Sequence, residues 1–189
     1  MKEQNERSGR RLTRRATYVL CLAAFLAALS FLLGLLAKTV QGTSPLRVTL
    51  EGMPVVLSGM MLGPLVGAAV GVAADLLSCL LSGQSPLPLI TVGAALVGFI
   101  PGLLTPLFHR GARPYAVAPR FLTVLVLDGA AHAVGSVTVK SIALSAFYGF
   151  NTLLLRAPIY LGIILLESYL LYLLLRSTDV RRELERLLK

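Results

Sequence analysis

The chain has 189 residues, 56% of them hydrophobic and 14% charged, with a mean hydropathy of +0.77. A soluble domain carries roughly a quarter charged residues, so this composition excludes an ordinary water-soluble globule and implies an integral membrane protein. The net charge of +9 does not indicate nucleic acid. Of the 18 Lys and Arg, six lie in 2–15, three in 110–120 and five in 176–189, where they flank apolar blocks as orienting residues do.

The apolar blocks are 16–37, 53–83, 87–108, 121–150 and 152–175. The first follows a basic start, as the core of a signal peptide does, but its 22 residues are enough to span and read as a retained first helix. Cys21 and Cys79 sit inside apolar blocks without metal-ligand spacing and read as small buried hydrophobes. The second block, at 31 residues, is too long for one upright crossing, which needs about 20. Gly63-Pro64 divides it, because proline lacks a backbone donor and restricts the residue before it. The expectation is an all-α, six-helix bundle in a single membrane domain, with helices at about 16–37, 52–62, 65–83, 87–108, 121–148 and 152–176. An even count places both termini, the basic tails 1–15 and 177–189, and the loop "HRGARPYAVAPR" (109–120) on the cytoplasmic side. The tail "STDVRRELERLLK" reads as an interfacial or solvated helix end.

The external segments are then 38–51, 84–87 and about 149–152. The first, with Lys38, Arg47 and Glu51, is longer than a simple connector, and such loops are often functional. Within the spans fall Asp75, Asp128, His132, Lys140, Arg156 and Glu167. Ionisable groups there usually face a cavity or a partner. Lys140 and Arg156 lie near the external end, and Arg47 can fold over the same mouth. Two readings stand: a pocket open to the outside for an anionic solute, or cations that each snorkel to the headgroups. Asp75 lies about 16 Å along its helix, near the midplane, where a carboxylate can accept from an amine-rich edge or pair with a base. Asp128 and His132, four apart on one helix face, satisfy each other. Glu167, in the inner half of the last helix, suits either a partner contact or a helix–helix bond.

Catalytic and metal motifs are absent: there is no HExxH, no GxSxG and no Cys/His ligand set. "GSVTVKS" (135–141) lacks the glycine before lysine and the preceding strand of a phosphate loop. No enzyme activity, cofactor or metal is expected.

"LRVTLEGMPVVLSGMMLGPLVGAAVGVAADLLSCLL" followed by "PLITVGAALVGFIPGLL" resembles the substrate-binding S subunits of energy-coupling factor (ECF) vitamin transporters, most closely the folate-specific branch. The likeness rests on Arg47, Pro54, Gly59 to Pro64, Ala74 to Leu77, Ile100 to Leu104 and Arg156, and covers about 16–176. It implies a multi-pass protein of a prokaryotic cell membrane that takes one vitamin from outside. The vitamin is delivered through a transmembrane coupling subunit driven by two partner ATPases. It also implies a docking surface of small residues on the first helix. "AAFLAALS" offers Ala23/Ala27 and Ala24/Ala28, and alignment on "AALS" prefers the second pair; ordinary internal packing is the alternative. For folate, Arg47, Lys140 and Arg156 would meet the carboxylates and Asp75 the amine edge of the pterin. With no tryptophan in the chain, Phe147, Tyr148, Phe150 and Tyr160 are left to stack its ring. Thiamine or riboflavin is the alternative ligand, and a non-transporting membrane assembly factor the alternative class.

Overall fold

The computed structural model describes residues 2–41, 49–83, 85–108, 119–149, 151–179 and 182, and within them the side chains of all but 2–14, 41, 146–148 and 151–155. Regular structure among these residues is entirely helical. In chain order come α1 (Lys2–Gln41), α2 (Gly52–Leu62), α3 (Pro64–Leu81), α4 (Pro88–Phe108), α5 (Phe121–Ala131), a π-helical segment (His132–Val139), α6 (Lys140–Tyr148) and α7 (Asn151–Arg176). Phe121–Ser145 runs as one apolar span, so α5, the π segment and α6 form a single rod, and the described residues make six rods. Five rods are long and apolar enough to cross a membrane, and α2 is the short sixth.

α1 extends through the basic start instead of beginning near residue 16. Residues 2–15 contain no proline, and their Glu, Gln, Lys and Arg are good helix formers. α2 has 11 residues, about 16 Å at 1.5 Å per residue, half of a hydrocarbon core of about 30 Å. It is buried on nearly every side, from Pro54 to Met61. It stops at Gly63, whose φ of 91° lies in the region that L side chains avoid. The Gly63 N–H closes the helix on the Gly59 carbonyl, and Pro64 opens α3 at the position where its missing donor costs nothing.

The seam between α2, α3 and α4 is made of glycine. A methyl group on Gly98 would run into the Gly67 carbonyl, one on Gly59 into the Gly98 carbonyl, and one on Gly71 into the Ala94 carbonyl. Backbones this close gain van der Waals contact along their length, and in lipid that gain replaces the missing hydrophobic drive. The apolar core lies between α1, α2, α5 and α7, around Leu26, Val56, Val124, Leu127 and Leu171. Leu65, Leu80 and Leu161 point outward with most of their surface exposed, as a lipid-facing surface requires.

In the π segment, the Thr138 hydroxyl donates to the Ala133 carbonyl at 2.7 Å and the Ser141 hydroxyl to the Ser136 carbonyl at 3.3 Å. Both acceptors are five residues back. π turns of this kind appear mostly at functional sites.

Candidate ligand-binding site

Because α2 fills only half the height, the bundle is hollow beyond its N-terminus. A partly open cavity of about 60 Å³ lies there. Every rod contributes from the same end, the one farthest from residues 2–15. Ser30, Phe31 and Gly34 come from α1, and Glu51, Gly52 and Val55 from the start of α2. Asp75 and Ser78 come from α3, Ala94 and Val97 from α4, His132 and Ser136 from the π segment, Lys140 from α6 and Tyr160 from α7.

Asp75, Lys140 and Tyr160 therefore meet around one cavity. Asp75 is half-buried and accepts from the Thr91 hydroxyl of α4 at 2.7 Å. Arg156 is not in the lining. It is 6% exposed and lies behind Tyr160. Its Nη2 donates to the Tyr160 hydroxyl at 3.1 Å, and its guanidinium carbon is 5.2 Å from the centre of that ring. Arg47, the side chain of Tyr148, Phe147 and Phe150 lie outside the described residues. Of the three cations expected at the mouth, Lys140 is the one seen in the lining.

Lys38 is in the last turn of α1 rather than in a loop. Its ammonium donates to the Ser78 and Ser82 hydroxyls at 2.5 and 2.9 Å, at the C-terminal end of α3, where a helix carries partial negative charge. Glu51, singled out with its loop but given no role, lines the cavity, and its backbone carbonyl accepts from the Ser30 hydroxyl at 2.6 Å. Ser136 was legible only as one hydroxyl of "GSVTVKS", whose polar run inside an apolar rod was the available signal.

The cavity floor rests on a buried polar network. His132 Nε2 lies 3.5 Å from Asp128 Oδ1, the expected pair, and closer still, 2.7 Å, to Glu167 Oε2 on α7. Nδ1 meets the Ser136 hydroxyl at 3.1 Å. Glu167 Oε1 accepts the Met53 backbone N–H at 3.2 Å, and Asp128 Oδ2 accepts from Ser168 at 2.8 Å. The network thus ties α2, the π segment and α7 together under the ligand space. One ligand atom from each of Asp128, His132 and Glu167 falls within 4.8 Å of the others, a spacing that can hold a metal ion. Here the short His132–Glu167 bond already engages two of the three.

On α1, Ala27 is buried in the core and Ala23 packs against it. Ala24 and Ala28 are exposed on the adjacent face.

The sequence profile described as ECF transporter, substrate-specific component, matches residues 19–178. No curated protein is similar enough in sequence to refine that match. The family's members are substrate-binding subunits of membrane transporters, in keeping with the apolar rods and the single cavity end built above, and this chain belongs to it.

Proposed function

We propose that the chain captures folate or a reduced folate at the outer face of a prokaryotic cell membrane. It then passes the vitamin to a transmembrane coupling subunit driven by two partner ATPases. The observation that carries this reading is that Lys140 and Asp75 line one cavity. The Lys140 ammonium suits a carboxylate end, and the Asp75 carboxylate suits an amine-bearing heterocycle. With the basic segments inside, as charge bias orients spans, the cavity opens outward. Ala24 and Ala28 supply the outward small-residue face for docking on the coupling subunit.

One observation favours a second reading. Two carboxylates, Glu51 and Asp75, line the cavity beside the ammonium of Lys140, a balance that also suits a cationic vitamin such as thiamine. Mass spectrometry of small molecules that co-purify with the protein, followed by titration of folic acid and thiamine, separates the two. Folate recovered with the protein supports the first reading, and thiamine alone replaces it.

A further inference from the structure

Beneath the cavity, two carboxylates compete for one imidazole. Asp128 and Glu167 are each 0% exposed, and both approach the same ring nitrogen of His132. Carboxylates in so dry a place are costly unless a positive charge answers them. Among the described residues, the ion-pair partner of both is His132. Gly52 holds the ring there: any side chain at that position would meet His132 Cε1 and Nε2 and Glu167 Oε2.

We infer that His132 is held as the imidazolium and that its second N–H turns the Ser136 hydroxyl outward, as a donor to an anionic oxygen of the bound ligand. Nε2–H donates to Glu167 at 2.7 Å, and Nδ1–H donates to Ser136 Oγ at 3.1 Å. Ser136 Oγ has no other side-chain partner among the described residues. With its oxygen accepting from the ring, its own proton is directed into the cavity that it lines. Lys140 lines the same cavity one turn further along the rod. A hydroxyl donor and an ammonium together make a receptor for a carboxylate. Glu167 and Asp128 act through His132 and are positioning residues. This deepens the folate reading, since it names which wall takes the ligand's carboxylates, and it rests on that reading for the ligand.

The charge of His132 is tested without ligand. The chain has two histidines, so nitrogen NMR of isotopically labelled histidine in lipid nanodiscs, with His109→Gln for assignment, reads the ring directly. Both ring nitrogens of His132 carry protons at neutral pH if the inference holds, and one bare nitrogen overturns it whatever the vitamin. The donor role is read by calorimetric titration of folic acid and its uncharged dicarboxamide. Ser136→Ala weakens folic acid about 10-fold, the loss of a hydrogen bond to a charged group, and leaves the dicarboxamide nearly unchanged. Glu167→Gln gives a comparable loss that does not add to that of Ser136→Ala. Equal losses for both ligands, or additive ones, mean a structural role alone and overturn the relay. If Glu167→Gln does not fold, His132→Gln takes its place in the cycle. If folic acid fails to bind the unaltered chain, the vitamin assignment falls while the NMR result alone decides for or against the charged His132.

Discussion

Replacing Arg156 by alanine distinguishes a residue that grips the ligand from one that works through its neighbour. The guanidinium donates to the Tyr160 hydroxyl at 3.1 Å and sits 5.2 Å from the ring centre, while the lining contains Tyr160 and not Arg156. A direct hydrogen bond to a ligand carboxylate is worth about 1.5–3 kcal/mol, or roughly 10- to 150-fold in affinity. An indirect contribution is smaller. Tyr160 keeps its hydroxyl in Arg156→Ala and loses only the polarisation and the cation–π hold that fixes its ring, about 1 kcal/mol or roughly fivefold. Titration calorimetry of folic acid on the purified protein, for the unaltered chain, Arg156→Ala, Tyr160→Phe and the double variant, closes a cycle. The expected outcome is a loss of about fivefold for Arg156→Ala that vanishes in the Tyr160→Phe background. A loss of the larger size that persists without the Tyr160 hydroxyl refutes the reasoning and returns Arg156 to direct carboxylate contact.

Phenylalanine at both Ala24 and Ala28 is expected to abolish uptake by the assembled transporter while calorimetric binding by the isolated subunit stays unchanged; a parallel loss of binding would place that face in the core. Ala27→Phe, at a position 5% exposed, should instead overpack the core at a cost of about 1–3 kcal/mol, visible as a lowered melting temperature in detergent. Gly98→Val is expected to prevent accumulation of folded protein, because the new side chain meets the Gly67 carbonyl, whereas Gly162→Ala, with nothing within 4 Å of the added carbon, should melt like the unaltered chain. Asp75→Asn should weaken folic acid by about tenfold, as loss of a charged hydrogen bond does, and weaken an analogue lacking the pterin amine far less; equal effects would remove Asp75 from the amine edge.

The all-helical bundle and its short second helix were legible because both depend on local chemistry. An apolar block too long for one crossing must break, and Gly63-Pro64 is the place where a backbone can reverse. That Asp75 and Lys140 share a cavity follows from the same constant rise per residue along each helix. Rotation about the helix axis was not. Whether Arg156 looks into the cavity or at the back of Tyr160 depends on how α7 packs against its neighbours, and no spacing within α7 encodes that. The His132–Glu167 bond joins residues 35 apart in the chain. The sequence shows that each needs a partner but offers Asp128, four residues from His132, as the nearer candidate. Ala23/Ala27 and Ala24/Ala28 carry the same small-residue spacing, and only the packing of Leu26 and Ala27 into the core tells the faces apart.

The π segment between His132 and Val139 makes the middle of a membrane rod a place where chain length is negotiable. Single-residue deletions are ordinarily absorbed in loops and loop tips, where no ladder of backbone bonds depends on count. Inside an α-helix a deletion turns every later side chain through about 100°, since 3.6 residues make a turn. A π turn already holds one residue more than the α ladder requires, so losing one there restores ordinary helix and keeps the backbone bonded. What changes is the wall of the cavity around Ser136, while Lys140, just beyond the segment, keeps its place. One residue lost at this point would therefore alter the ligand chemistry while the rest of the bundle stays in register.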